Sequence, residues 1–178
     1  MLHINEFLDI LPINCKSGRI EILTMGYLDW YVDNCRSDYY NQYTDFNFCS
    51  ISRKQLKDTI ANMINSYANK ISNQCEARVV LKNKNKILGG CTIFEKNNGE
   101  IEIAYFVIPE EQHKGIAYEM IHNLLNNINK SSIPFNKFIV SIQSCNKISI
   151  RLAEKLGFVQ NKSEKDNIVM ELYRNEYK

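Results

Sequence analysis

The 178-residue sequence holds no run approaching the roughly 18 consecutive apolar residues that a membrane span requires. Its start, MLHINEFLDILPIN, carries Glu6 and Asp9 and no basic segment, so it reads as a poor secretion signal. There is no dense Lys/Arg run, and the net charge is only +2, too balanced to argue for nucleic acid. The run Lys82-Asn83-Lys84-Asn85-Lys86 reads as a solvated turn. The six cysteines, Cys15, Cys35, Cys49, Cys75, Cys91 and Cys145, form no C-x-x-C pair and have no histidine at ligand spacing. That argues against zinc, and with no secretion signal it argues against a disulfide framework; most read as small core residues. His3, His113 and His122 give no metal pattern. No internal repeat or linker breaks the chain. The expectation is a single domain over 1–178, with 1–16 as an N-terminal arm, cytoplasmic, without membrane, nucleic-acid or metal partners, and a monomer or homodimer.

What is present suits a globular core: 44% hydrophobic and 24% charged residues. Phe7, Leu8 and Leu11 share one side of a short helix or arm in 1–14. Arg19-Ile20-Glu21-Ile22-Leu23 alternates as a strand, and 26–35 reads as a short helix. The aromatic-rich segment from Asp38 to Phe48 has neither period and reads as a structured loop. Its rings and acids either pin it to the core or wall a pocket for a cationic amine. Ser52 and Gln55 fit a capping box ahead of the stripe Leu56, Ile60, Met63, Ile64, Tyr67, Ile71. Residues 75–82 and 87–95 read as strands, and Asn97-Asn98-Gly99 as a hairpin turn into a third.

The most informative stretch follows. Residues 101–108 read as a strand buried on both faces, stopped by Pro109, which has no N–H to extend a ladder. From Ile116 the apolar residues Met120, Ile121, Leu124, Leu125 and Ile128 trace one helical face. Between strand and helix lies Gln112-His113-Lys114-Gly115-Ile116-Ala117. A helix start leaves main-chain N–H groups without partners and carries partial positive charge, a natural anion cradle to which Lys114 adds a cation. An ordinary turn with one glycine is the competing reading. Beyond it, 138–142 reads as a strand, 146–156 as a helix ended by Gly157, and Phe158 to Tyr173 as two last strands.

Two linked features, Gln112-x-x-Gly115-x-Ala117 and the run from Asn146 to Leu156-Gly157-Phe158, resemble the GNAT superfamily of acyl-CoA-dependent N-acetyltransferases. The Asn-x-x-Ser and Lys-Leu-Gly-Phe spacing looks most like its ribosomal-protein N-terminal acetyltransferase branch. The resemblance covers roughly residues 17–174. It implies an α+β fold with a mixed, mostly antiparallel sheet of six to seven strands and helices on both faces. The sheet would be splayed between the strands at 101–108 and 138–143. It also implies acetyl-CoA as cosubstrate. The main-chain N–H groups of Gln112, His113, Lys114, Gly115, Ile116 and Ala117 would hold its diphosphate. Phe106, Val107 and Ile108 would pair with the pantetheine arm, in the manner of an added strand. Asn146 and Ser149 match positions that touch pantetheine or an ordered water, and capping is their alternative.

The implied chemistry is attack of a neutral amine on a thioester. A lysine-like amine, pKa ~10.4, is only about one part in 10³ neutral at pH 7, whereas an α-amino group near 7.8 is roughly a tenth neutral. A base therefore matters more for side-chain amines. Glu102 is the candidate by its place on the strand, with Asn146 as the second catalytic candidate; a solvent-facing Glu102 is the alternative reading. Many members carry a Tyr seven residues after the Asn; here Ala153 stands there. Cys145 invites a covalent route but has no adjacent histidine, and reads as packing. The acceptor reads as a protein N-terminal amine, with a polyamine or aminoglycoside as alternatives. A non-catalytic acyl-CoA-binding regulatory domain is a reading of a different class, and a generic nucleotide-phosphate binder a weaker third.

Overall fold

In the computed structural model, residues 4–44, 46–68, 76–96 and 99–177 are described. In chain order the elements are α1 (Ile4–Asp9), β1 (Ile13–Asn14), β2 (Arg19–Ile22), α2 (Leu28–Cys35), α3 (Asp38–Asn41), α4 (Arg53–Ala68), β3 (Glu76–Asn83), β4 (Lys86–Lys96) and β5 (Glu100–Val107). There follow α5 (Ile116–Lys130), β6 (Lys137–Gln143), α6 (Lys147–Lys155), β7 (Val159–Glu164) and β8 (Asn167–Tyr173). The chain divides into two compact units, Met1–Ile22 with Cys75–Lys178, and Leu23–Gln74.

The first unit is one eight-stranded sheet in the order β1-β2-β3-β4-β5-β6-β8-β7. All neighbours are antiparallel except β5 and β6. The strand beyond the expected six to seven is β1, only two residues long and too short to leave a period in the sequence. Expected strand 75–82 is β3, with Cys75 outside the described residues. Asn97 and Asn98 also lie outside them; Gly99 has φ +76°, as a tight turn requires. The α5 stripe behaves as its spacing dictates: Ile116, Met120, Ile121, Leu124, Leu125 and Ile128 are all buried. At about 1.5–3 kcal/mol for each side chain fully buried, that face contributes on the order of 10 kcal/mol before chain entropy. Arg174 closes the far end of this helix. Its guanidinium donates to the carbonyls of Asn129, Ser131 and Ile133 at 3.0–3.1 Å, a cation at the negative end of the dipole.

One expectation fails on β5. The strand is not buried on both faces. Its exposure alternates, with Ile101 and Ile103 buried, Glu100 and Glu102 half-buried and Ala104 open. The apolar run Ile101-Glu102-Ile103 already alternates, and the flanking aromatics masked that period.

In the second unit α2 packs on α4. Leu56, Ile60, Met63, Ile64 and Tyr67 are buried along α4; Ile71 falls outside the described residues. The capping box is formed: Gln55 N–H donates to Ser52 Oγ (3.2 Å) and Ser52 N–H to Gln55 Oε1 (3.1 Å). The segment read as a loop contains a short helix, α3, then a turn held by Asn41, whose Oδ1 accepts from Phe48 N–H and whose Nδ2 donates to Cys35 O. The Phe48 ring meets Tyr40 and Phe46 edge-on. Asp45 lies outside the described residues.

Candidate active site

The first unit contains a gap inside its own sheet. β5 and β6 pair in parallel at only three rungs, Glu100↔Lys137, Ile101↔Phe138 and Glu102↔Ile139. Past that point each strand stays paired on its other side, β5 to β4 as far as Val107↔Gly89 and β6 to β8 as far as Gln143↔Asn167. The two strands therefore part into a wedge, as the splayed sheet was expected to.

Ladder parity says which groups face it. Ile108 N–H donates to Leu88 O (3.0 Å), on the β4 side. Bonded and non-bonded pairs alternate in an antiparallel ladder, so Phe106 and Ala104 also turn their main-chain groups to β4, while Ile103, Tyr105 and Val107 turn theirs toward the wedge. Of the three residues expected to offer main-chain groups, only Val107 faces the gap, and its carbonyl already accepts from Gln112 Nε2 (3.1 Å). The Tyr105 main chain, not that of Phe106, faces the gap. The Phe106 ring instead lies over Gly90, where an added Cβ would come within 2.9 Å of it.

The turn at the mouth of the wedge holds the expected run. Pro109–Glu111 make a single tight turn, Gln112 is extended, and His113 (φ +61°) and Gly115 (φ +79°) are left-handed. Gln112, His113, Lys114 and Gly115 are exposed, Ile116 is buried and Ala117 half-buried. No side chain caps the start of α5, and nothing lies within 4 Å of where a Gly115 Cβ would stand. The glycine is needed for its backbone angle, not for room. Glu111 bridges Lys86 (2.5 Å) and Lys114 (3.0 Å), and these bonds hold its carboxyl below the usual range. Part of the Lys114 charge is thereby engaged. A cleft of about 400 Å³ beside this turn is lined by Ser17, Asn83, Lys86, Leu88, Glu111 and Ile116, on the β4 side of β5 and away from the wedge.

On α6, Asn146 Oδ1 accepts from Ser149 N–H (3.1 Å), so the observed role of Asn146 is the helix cap. The Ser149 carbonyl accepts from the Tyr105 hydroxyl at 3.4 Å. Ala153 is buried and ends the helix with Gly157 (φ +95°), its carbonyl accepting from Phe158 N–H.

Glu102 stands on the last shared rung and ion-pairs with Lys96 (2.7 Å). Glu100, two residues back, meets Lys137 (3.0 Å), which also bonds Glu171 (2.6 Å), so the closed end of the wedge is clasped by charge. Burial alone would push the Glu171 carboxyl up; bonds from Lys137 and Asn161 outweigh it and hold it low. Both glutamates are half-buried and ion-paired.

The cysteines depart from expectation. Among those described, Cys35 and Cys91 are buried, Cys15 half-buried, and Cys49 and Cys145 exposed. Cys145 Sγ donates to Gln143 Oε1 at 3.7 Å. Among the described residues no group of three or more His, Cys, Asp or Glu could hold a metal, and no helix is long and apolar enough to cross a membrane.

Sequence reasoning missed Tyr105 and Lys96. Tyr105 sits in an unbroken apolar run, and only the Ile108–Leu88 bond fixes which residues of that run face the gap.

A family model described as an acetyltransferase (GNAT) domain matches residues 27–159. No curated protein matches in sequence. Several solved structures share the fold. One is RimL, a ribosomal L7/L12 alpha-N-protein acetyltransferase in complex with coenzyme A, at 13% identity and TM-score 0.74, over 91% of this chain and 97% of that one. Another is spermidine N-acetyltransferase from Vibrio cholerae in complex with CoA and spermine, at 19% identity and TM-score 0.70, over 89% and 96%. A GNAT-family acetyltransferase from Bacillus anthracis matches at 17% identity and TM-score 0.74, over 93% and 100%.

Proposed function

This chain belongs to the GNAT acetyltransferase family, and on that premise we propose that it moves an acetyl group from acetyl-CoA directly to a primary amine, with a protein N-terminal amine as acceptor. The observation that carries the reading is the parting of β5 from β6 after Glu102 and Ile139. Main-chain groups left unpaired inside a sheet cost free energy unless water or a ligand bonds them. A pantetheine arm, with its two amides, is a ligand of the right chemistry for the edge at Ile103, Tyr105 and the Val107 N–H, the Val107 carbonyl being held by Gln112. At the mouth, the open first turn of α5 with Gly115 and Ala117 suits a diphosphate, with Lys114 at its margin.

The residues then divide the work. Gln112 fixes the exit of β5 by bonding Val107 O. Asn146 fixes the start of α6. The edge N–H groups of β5 supply donors for the oxygen that gains charge as the amine attacks. Glu102, at the apex of the wedge, receives the proton from the amine, directly or through water. Lys96 beside it keeps that carboxylate oriented. The two units serve one catalytic domain in this reading, the family match drawing on both.

Two of the structural neighbours act on different amines, a ribosomal protein and spermidine. The test is a screen of acetyl-CoA with N-terminal peptides, polyamines and aminoglycosides, read as free CoA. Release with peptides is expected. Release with polyamines alone moves the acceptor class, and tight CoA binding without release from any amine makes the protein a sensor.

A further inference from the structure

When a thioester is cleaved, the C–S bond breaks with its electron pair on sulfur, so the leaving atom needs a hydrogen-bond donor. The usual helix position offers none: Ala153 carries a methyl and is buried. The walls of the wedge hold another candidate. Tyr105 lies three residues beyond the last rung that β5 shares with β6. Its side chain reaches across to α6, where its hydroxyl contacts the Ser149 carbonyl at 3.4 Å, the long end of a hydrogen bond. Ser149 and Ala153 are four apart and so share one side of α6, within about 6 Å of each other. The Tyr105 proton is thus at the wedge wall, one helical turn from a position that supplies none, in a bond weak enough to be exchanged. Cys91, directly opposite Tyr105 on β4, is only 1% exposed.

We propose that Tyr105 is the donor to the leaving sulfur, swinging its hydroxyl from the Ser149 carbonyl to the thiolate as CoA departs. The inference rests on the acetyl-CoA reading above. The balance is complete. The N–C bond forms and the C–S bond breaks. The amine proton goes to Glu102 or water, and the sulfur leaves as a thiolate that solvent protonates. Tyr105 keeps its proton throughout. Burial, with a smaller push from Cys91 against the pull of the Ser149 bond, raises its pKa to about 12. A phenol held there does not surrender a proton to a thiolate whose conjugate acid titrates near ~8.5. It stays a full donor across the working range.

The test compares wild type with Tyr105→Phe in three readouts: calorimetric affinity for CoA, thermal midpoint, and the pKa of the bound CoA thiol followed by thiolate absorbance. The thiol titration needs no acceptor and no turnover. Expected is CoA affinity within about threefold of wild type, a thiol pKa lower in wild type than in the variant, and kcat down on the order of 10²-fold in the variant, as for loss of one charge-stabilising donor. Equal thiol pKa values, or kcat within twofold of wild type, overturn the inference and leave the acetyl-CoA reading intact. Failure of wild type to bind CoA overturns that reading, and the inference with it. Should Tyr105→Phe not fold, 3-fluorotyrosine at 105 keeps the shape and strengthens the donor. The bound thiol pKa must then fall further, and an unchanged value overturns the inference.

Discussion

Glu102 and Ile139 form the last rung that β5 and β6 share. Glu102, the proposed base, stands on that rung; the β5 edge at Tyr105 and Val107 lies on its open side, and the ion pairs of Glu100, Lys137 and Glu171 lie on the closed side. A single change of pairing divides a strand into a structural half and a working half.

Glu102→Gln tests the apex. Loss of a positioned base costs about 10²–10⁴-fold. The loss in kcat should be largest for lysine-like amines, which are almost wholly protonated at pH 7, and smaller for α-amino acceptors, roughly a tenth neutral. Steady-state rates across pH with both acceptor types check this. Unchanged rates with both remove Glu102 from the chemistry.

Gly115→Ala tests the turn. With φ at +79°, an added Cβ meets no neighbour but sits in a left-handed backbone, which costs about 1–2 kcal/mol. Urea unfolding should register that loss. CoA affinity should fall as the turn relaxes, measured by calorimetry. A variant as stable as wild type would show the turn is not held at this angle in solution.

Gln112→Ala removes the bond to Val107 O. The expected loss is about 1 kcal/mol of stability, the usual net worth of one hydrogen bond. CoA affinity should fall several-fold, because the exit of β5 is no longer fixed. Calorimetry against urea midpoints separates the two effects.

Glu171 tests the clasp. Its folded-state pKa lies below the ordinary value of 4.5, so the folded state binds fewer protons than the unfolded one there. Its contribution is complete above about pH 4.5 and is lost as pH falls through the lower folded value. Urea midpoints at pH 7 and pH 3 should differ more for wild type than for Glu171→Gln. At pH 7 the variant should be about 1–3 kcal/mol less stable, since Lys137 loses one of its two carboxylate partners, Glu100 and Glu171. Equal pH dependence in the two proteins would deny Glu171 that role.

Much of the fold was legible. The steps from Ile116 to Ile128 are a helical face whatever surrounds them, and all six residues are buried. Gly157 ends α6 as a left-handed glycine does. The site was legible in part. Gln112 to Ala117 fall where the turn was expected, but the expected strand set of Phe106, Val107 and Ile108 is narrowed to Val107, with Tyr105 beside it. The buried-on-both-faces reading of β5 failed because aromatic residues hide a period of two. The cysteines misled because residue type alone does not say which side of an element a small side chain occupies.

The sequence by itself determined the longer elements, the capping box, the Gly157 stop and the family resemblance, because periodicity, glycine angles and capping are local in the chain. Tertiary structure alone decided where β5 leaves β6, which carbonyls and N–H groups face the gap, and that Tyr105 meets Ser149 across it. Those facts depend on ladder parity and on contacts between residues 44 positions apart. A backbone cannot know which of its edges will be left without a partner until the neighbouring strand is in place.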